Sequence, residues 1–293
     1  MNRGGPETAA GGPFEGQVAV ITGAASGLGR GIADRFGAAG CRLVLADVEE
    51  AALARAAAEL TAAGVEATAV PTDVADAASV DALAAAVLED HGHVDLLFNN
   101  AGVGIQKPTA EMTTRDWEWV LGVNLWGVIH GLRVFLPHML ARDAGRIVNT
   151  ASSAGHVVVG NLAAYNASKH AVVAISETVR AELAQQHSAV TVAAFCPGLV
   201  RTRITSSARN RPDQLRNPGE PLPERDSWDE RMAEGRQEAL EAQFGRAKSA
   251  AEAAAILHDG LLDGRFYIWT DDLFAEPLRQ RHAEIQDSFW TAG

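Results

Sequence analysis

The chain has 293 residues, of which 47% are hydrophobic and 21% are charged, and its formal net charge is -12. This composition excludes a disordered chain, which would be poorer in apolar residues and richer in charge. An acidic surface repels phosphate backbones, so we expect no nucleic-acid partner. The sequence has no uninterrupted run of about 18 apolar residues, the length that a membrane-spanning helix needs. We therefore expect no membrane partner either.

The cysteine content and the first residues indicate where the protein works. Two cysteines, Cys41 and Cys196, are too few for a disulfide framework or a zinc site. We therefore expect a cytoplasmic protein. Since the sequence has no visible cluster of metal ligands, we also expect no metal. Residues 1–16 are rich in Gly, Pro and Ala but have no apolar centre, which predicts a flexible leader rather than a secretory signal.

From Gln17 onward, short apolar runs alternate with helical patterns. The predicted strands are residues 18–21, 43–46, 67–70, 94–98, 146–150, 190–195 and 266–269. Runs of this kind, separated by helices, are typical of βαβ units with a parallel sheet buried on both faces. We predict an α/β fold: a single Rossmann-type, doubly wound domain over residues 17–293, with a seven-stranded parallel sheet flanked by helices.

Two segments depart from this alternation. Residues 203–245 are charged and contain several prolines, which predicts a substrate lid with a short helix over residues 227–244. The lid's Arg209, Arg211 and Arg216 could hold an acidic group, although a solvated surface is the plainer interpretation. Residues 271–293 form an amphipathic tail that could cover a neighbour's site or a subunit edge.

The first predicted strand runs into a glycine-rich turn followed by a helix. Gly23, Gly27 and Gly29 permit a tight turn and a close approach of a pyrophosphate to the backbone at the helix N-terminus. The alternative is an ordinary strand-to-helix turn. Asp47 ends the second strand, where a carboxylate accepts ribose hydroxyls and repels a 2′-phosphate. Since Val48 adds no positive charge, we expect NAD rather than NADP, unless Asp47 merely caps the next helix.

Small and polar residues also follow the third and fourth predicted strands. Asp73 and Val74 follow one of them, and residues 99–102, Asn-Asn-Ala-Gly, follow the other. Ligands of open parallel sheets bind at the carboxyl ends of the strands. These positions fit a nucleotide lying across the sheet, although such residues also end strands for reasons of turn geometry.

Ser152, Tyr165 and Lys169 form the most specific pattern in the chain. Tyr165 and Lys169 are four residues apart, which places them on one face of a helix. An ammonium close to a phenol lowers the pKa of the phenol, so we expect an activated tyrosine. The chain has only two tyrosines and three lysines, which makes a chance surface pair the weaker interpretation.

Together these motifs, with Asn124 and Pro197-Gly198, resemble the short-chain dehydrogenase/reductase family, in its shorter oxidoreductase branch. The resemblance implies that Tyr165 is the general acid/base, Lys169 its activator and a ribose ligand, Ser152 a donor to the substrate oxygen, and Asn124 the holder of a relay water. With Tyr165 and Lys169, the expected cofactor-binding residues are Gly23, Ser26, Gly27, Leu28, Gly29, Asp47, Asp73, Val74, Asn100, Ala101, Gly102, Pro197, Gly198, Val200 and Thr202.

The expected activity is hydride transfer between a nicotinamide cofactor, with NAD favoured, and a small-molecule secondary alcohol or ketone of mid size and apolar character. Residues 157–161, Leu199, Val200 and the lid are expected to form the substrate pocket, with His156 as lining. The resemblance also implies a homotetramer or homodimer, paired through the long helices. Two alternatives are an NADPH-dependent biosynthetic ketoreductase, which Asp47 opposes, and a non-catalytic nucleotide sensor, which the intact catalytic set opposes.

Overall fold

The computed structural model describes residues 12–219 and 247–289. Its seven strands are all parallel and form one sheet in the order β3-β2-β1-β4-β5-β6-β7. The strands are β1 Val18–Thr22, β2 Arg42–Asp47, β3 Ala67–Pro71, β4 Leu96–Asn99, β5 Arg146–Thr150, β6 Thr191–Cys196 and β7 Tyr267–Trp269. The predicted doubly wound α/β fold is confirmed.

Helices cover both faces of this sheet. They are α1 Gly27–Ala38, α2 Glu50–Ala62, α3 Ala77–His91, α4 Thr114–Leu121, α5 Gly127–Arg142, α6 Ala163–Gln185, α7 Ala250–Leu262 and α8 Ala275–Asp287. Short 3₁₀ helices lie at Thr109–Glu111, Ser153–Gly155, Ile204–Asn210 and Asp213–Leu215.

The alternation of side-chain direction along β1 explains why helices must cover both faces of the sheet. Val18 and Val20 belong to a core shared with α3, α5 and α6, whereas Ala19 and Ile21 belong to a core shared with α1, α2 and α7. Successive side chains of a strand point to opposite faces of the sheet, so a strand that is apolar throughout must be buried on both faces. The sheet is therefore the middle layer of a three-layer domain.

The strand order reverses between β1 and β4. From β1 the chain proceeds outward to β2 and β3, then returns to β4 and proceeds to the other edge. The loops that leave β1 and β4 diverge toward opposite faces, and the crevice between them is where ligands of such sheets bind. The candidate site lies at this crevice.

The helical run Thr114–Arg142 is interrupted. Helices α4 and α5 are joined by a five-residue π-helical segment, Gly122–Trp126. The combined run Thr114–Arg142 is long and apolar enough to cross a membrane by length and composition, but half of its most apolar stretch is buried inside the protein. It packs against α3 and α6, as a core helix of this fold does.

The predicted flexible leader extends too far. Phe14 is fully buried, and its ring lies 5.1 Å from that of Phe36 and 5.0 Å from that of His258. Burial of an aromatic ring is favourable, so Phe14 fastens residues 12–16 to the domain. Residues 1–11, the lid beyond residue 219 with its predicted helix, and residues 290–293 lie outside the described residues.

We expect Phe14→Ala to lower the free energy of unfolding by about 3–5 kcal/mol, because a fully buried ring would leave a cavity. Phe289→Ala is the matched control, since that ring is 71% exposed. Urea unfolding followed by circular dichroism measures both. Equal stabilities of the two variants would show that residues 12–16 are dispensable.

Candidate active site

One cavity of about 430 Å³ opens at the carboxyl ends of the central strands. It is lined by every residue predicted to bind the cofactor and by Ser152. These residues are Gly23, Ser26, Gly27, Leu28, Gly29, Asp47, Asp73, Val74, Asn100, Ala101, Gly102, Tyr165, Lys169, Pro197, Gly198, Val200 and Thr202. The structure thus brings together residues that are up to 179 positions apart in the sequence, from Gly23 to Thr202.

The glycine turn has the conformation that its residues permit. Gly23 and Gly27 have φ of 68° and 56°, in the left-handed region that disfavours residues with a side chain. A Cβ on Gly29 would lie 2.0 Å from the carbonyl oxygen of Gly23, so only glycine fits there. Helix α1 begins at Gly27, and its first N–H groups are therefore at the cavity, where an anion would be stabilised.

Thr22 joins the loops that follow β1 and β4. Its Oγ1 accepts hydrogen bonds from the backbone N–H of Asn100 at 2.9 Å and of Ala101 at 3.0 Å. The side-chain Nδ2 of Asn100 also donates to the carbonyl oxygen of Thr22 at 2.9 Å. These buried bonds fix the separation of the two cavity walls.

The carboxylate of Asp47 accepts two backbone hydrogen bonds at the end of β2, and its role toward a ribose stays a prediction. One carboxylate oxygen accepts from the N–H of Glu49, the residue before α2, at 3.0 Å. The other accepts from the N–H of Ala25, in the glycine turn, at 3.0 Å. Asp47 therefore fixes the start of α2 and the glycine turn while lining the cavity.

Positive charge that the sequence pattern did not indicate lies at this same end of the cavity. Arg209, 160 positions after Glu49, donates to its Oε1 at 2.6 Å from Nη2 and at 3.2 Å from Nε. A nitrogen of Arg203 lies 3.9 Å from the other oxygen of Glu49. Both arginines line the cavity. Val48 adds no positive charge beside Asp47, but the lid brings two guanidinium groups to the same cavity.

Lys169 is held beneath Tyr165. Its Nζ donates to the carbonyl oxygen of Thr150 at 2.7 Å and lies 5.7 Å from the centre of the Tyr165 ring. The side chain is 3% exposed, and burial lowers its pKa to about 8. The cation is thus placed in a setting that disfavours its charge.

The prediction that the ammonium of Lys169 lowers the pKa of the Tyr165 phenol is wrong when only the groups of this chain are considered. Burial raises the pKa of the phenol above its usual value, and a hydrogen bond with Ser152 acts in the opposite direction without overcoming it. The ammonium of Lys169 gives its hydrogen bond to the Thr150 carbonyl, so it stabilises a phenolate only across the ring. Spacing in the sequence predicts that two side chains are neighbours, but not the cost of desolvating them.

Asn124 lies in the π-helical segment, and its side chain makes hydrogen bonds that hold neighbouring segments together. Its Oδ1 accepts from the N–H of Val103 at 2.8 Å, and its Nδ2 donates to the Val103 carbonyl at 3.0 Å and to Ser168 at 3.1 Å. The side chain is fully buried and fastens the loop after β4 to α6. The relay-water role stays a prediction.

The first part of the predicted lid lies over the cavity. Ser207 Oγ accepts from the N–H of Gly104 and donates to its carbonyl, each at 3.0 Å. Ile204, Pro212 and Leu215 also line the cavity. Residues 203–219 therefore form one wall of the site.

The lid is anchored on its far side by Asp116, which is 1% exposed. Asp116 accepts from Arg211 at 2.7 Å and from Asn217 at 2.8 Å. Burial alone would raise the pKa of Asp116, but hydrogen bonds from the Thr113 N–H, Asn217 and Arg211 outweigh it and lower the pKa to about 2. This carboxylate is thus charged and matched by donors.

These contacts decide between the two interpretations of the lid arginines. Arg209 pairs with Glu49, Arg211 with Asp116, and Arg216 with Asp213. Each side chain already meets a carboxylate of this chain. The structure therefore does not favour the idea that they hold an acidic group of a substrate.

The predicted substrate pocket needs correction. Among the described residues, neither residues 157–161 nor Leu199 border the cavity, although Val200 does. His156 also lies elsewhere: its ring packs 4.8 Å from that of Trp269, and its Nε2 is 3.4 Å from Cys196 Sγ. The apolar walls are instead Val103, Trp119, Val123, Ile204 and Leu215. These residues have no distinctive motif, so only the fold identifies them.

Comparisons with known proteins agree with this site. Residues 17–213 match the family model described as short chain dehydrogenase. The "CLA biosynthesis dehydrogenase/reductase" of Lactiplantibacillus plantarum is 32% identical over 93% of this chain and 94% of its own.

Two solved structures are similar throughout. A short-chain dehydrogenase/reductase from Burkholderia phymatum in complex with NAD is 43% identical, with a TM-score of 0.85, and the match covers 96% of this chain and 98% of that one. A single-residue variant of the actinorhodin polyketide ketoreductase with NADPH is 34% identical, with a TM-score of 0.72, over 87% and 95%. The chain belongs to the short-chain dehydrogenase/reductase family and is an NAD(P)-dependent oxidoreductase.

Proposed function

We propose that this oxidoreductase transfers hydride between NAD and a secondary alcohol or ketone carried on a mid-sized, apolar molecule. The observation that carries the proposal is the convergence of Ser152, Tyr165 and Lys169 with the glycine turn on one cavity. A proton donor and a dinucleotide site must share one space for carbonyl reduction to occur.

In the proposed reaction Tyr165 moves the proton. Because burial raises the pKa of its phenol, the group is protonated at neutral pH and can act as an acid toward a carbonyl oxygen. The Ser152 hydroxyl donates a second hydrogen bond to the same oxygen, where negative charge develops. In the oxidative direction the phenolate accepts the proton of the alcohol. The bound nicotinamide supplies the hydride chemistry and, when oxidised, a positive charge that favours the phenolate.

The cofactor residues would hold the dinucleotide along the cavity. The N–H groups at the start of α1 would meet the pyrophosphate, and Asp47 would accept the ribose hydroxyls. The carboxylate of Asp47 supports NAD, as does the similar protein with NAD bound. The second candidate, an NADPH-dependent ketoreductase, is supported by the similar ketoreductase with NADPH. Arg203 and Arg209 also line the cavity, but both face the carboxylate of Glu49.

The substrate class follows from the walls of the cavity. Val103, Trp119, Val123, Ile204 and Leu215 are apolar and line the same cavity as the catalytic set. Apolar walls with a few placed polar groups are the usual design of a small-molecule site. A ketone or alcohol with a largely hydrocarbon frame fits them.

We also propose a cytoplasmic homotetramer or homodimer. The thiols of Cys41 and Cys196 are both free and buried, which suits a reducing compartment. Trp126, on the run from α4 to α5, is 52% exposed, and an exposed aromatic side chain on a long helix suits subunit pairing. The tail helix α8 exposes Ile285 and could cover a subunit edge.

The burial of Lys169 supports a functional role because it costs stability. The folded protein lowers the pKa of the ammonium to about 8, whereas a free lysine titrates near 10.4. Below pH 8 both states carry the proton and the cost is constant. Between about pH 8 and 10.4 the unfolded chain binds more protons, so the stability rises with pH.

We therefore expect the wild type to gain stability relative to Lys169→Met by about 1.4 kcal/mol per pH unit in that window. Urea unfolding at pH 7, 8, 9 and 10 measures the difference. Lys248→Met, a change at a half-buried lysine outside the catalytic set, is the control and should follow the wild type in parallel. Parallel profiles for Lys169→Met as well would show that Lys169 titrates normally.

Tyr165→Phe should lower kcat by about 10²- to 10⁴-fold, since the proton donor is lost, and should leave NAD affinity nearly unchanged. Cofactor reduction with a panel of secondary alcohols, followed by absorbance, measures turnover. The control is Tyr267→Phe, because the other tyrosine of the chain lies outside the cavity and donates to Glu177. Activity of Tyr165→Phe within about threefold of wild type would exclude Tyr165 as the acid/base.

Asp47→Ala should reduce the preference for NAD, because it removes a ribose acceptor and a charge that repels a 2′-phosphate. The ratio of kcat/KM with NAD to that with NADP measures the preference. A wild-type enzyme that turns over NADP better than NAD would contradict the proposed role of Asp47.

A further inference from the structure

We propose that Glu49 is a second determinant of cofactor selectivity: it engages Arg209 and Arg203 and so withholds them from a 2′-phosphate. The inference rests on the proposed nicotinamide function and concerns the adenosine end of the same cavity. It differs from the role of Asp47, which acts by its own charge. Glu49 acts by engaging positive charge that the lid brings to the site.

Both carboxylate oxygens of Glu49 face side chains of the lid. Its Oε1 accepts from Arg209 at 2.6 and 3.2 Å and from Asn210 Nδ2 at 3.0 Å, while Oε2 lies 3.9 Å from a nitrogen of Arg203. One carboxylate thus gathers three side chains of the lid. It is also half-buried, with 21% of the side chain exposed, so the charges act through less water than at a free surface.

Glu49 lies close to Asp47 at the cavity. Glu49 is two residues beyond Asp47, whose carboxylate accepts the Glu49 N–H, and both line the cavity together with Arg203 and Arg209. Two carboxylates and two guanidinium groups therefore share this end of the site. Their formal charges cancel, so no net positive charge is offered to a phosphate.

A 2′-phosphate would compete with Glu49 for Arg209. Guanidinium groups bind phosphate by paired, charge-assisted hydrogen bonds, so a free Arg209 would attract a 2′-phosphate. In this chain a 2′-phosphate would have to displace Glu49 from Arg209 and then lie between two carboxylates. NAD carries a hydroxyl at that position and meets neither penalty. The wild-type arrangement is therefore selective against NADP although arginines are present.

The test is calorimetric titration of NAD and of NADP into the purified protein, which needs no substrate. We expect Glu49→Gln to shift the ratio of the two dissociation constants toward NADP by about tenfold, equivalent to about 1.4 kcal/mol. Glu49→Ala, which also removes the hydrogen bonds, should shift it in the same direction. Glu50→Gln, a change at the exposed acidic residue beside Glu49, is the matched control and should leave the ratio unchanged.

A second arm isolates the arginine. Adding Arg209→Gln to Glu49→Gln should cancel most of the gain for NADP, and combining Glu49→Gln with Asp47→Ala should invert the preference. Thermal unfolding checks that each variant is folded. The two arms together show whether the gain comes from Arg209 or only from the loss of a repelling charge.

Three outcomes would overturn the inference. Parallel changes in NAD and NADP affinity would mean that Glu49 only holds the lid, and an unchanged ratio would mean that it has no part in selectivity. A gain for NADP that survives Arg209→Gln would assign the effect to repulsion alone. If the wild type binds neither cofactor, the proposed function itself fails, and that result is distinct from NAD binding with an unmoved ratio.

Discussion

The hydrogen bonds from Asn100 and Ala101 to Thr22 Oγ1 tie together the two loops on which the site depends. All seven strands are parallel, so their carboxyl ends meet at one edge, and the reversal of order between β1 and β4 makes the following loops diverge. The strands β1 and β4 are paired, and the Thr22 bonds continue that connection into the glycine turn and the loop after β4. Ser152 after β5 and Tyr165 on α6 line the same cavity as this link between the loops.

Two buried charges near this crevice are treated in opposite ways. Asp116 is matched by Arg211 and by several hydrogen bonds, so its surroundings stabilise the anion and anchor the lid. Lys169 meets the Thr150 carbonyl and the Tyr165 ring, neither of which carries a full negative charge, so its burial weakens the cation. A matched pair suits a structural anchor. A buried cation in a cleft that has no carboxylate partner among the described residues suits chemistry, because its charge can be used on a ligand.

The sequence predicts those parts of the molecule that depend on local patterns. Apolar runs located all seven strands, and every cofactor residue that the motifs indicated lines the cavity near the strand ends. It could not predict properties that arise from long-range packing. The pairing of Glu49 with Arg209 joins positions 160 apart, the burial of Phe14 needs Phe36 and His258, and the raised pKa of Tyr165 comes from desolvation. None of these leaves a spacing or composition signal in the chain itself.

The same long-range contacts connect the lid to the cofactor end of the site. Residues 203–219 are held at Asp116 on one side, at Gly104 in the middle and at Glu49 on the other. The Asp116 pair is almost fully buried, whereas the Glu49 pair keeps about a fifth of each side chain exposed. Partly hydrated ion pairs exchange partners more readily than buried ones, which lose more when broken. The weaker attachment is therefore the one beside Asp47. If the proposed selectivity role holds, Glu49 contributes both to the position of the lid and to the charge presented to an adenosine ribose, so the two properties are coupled.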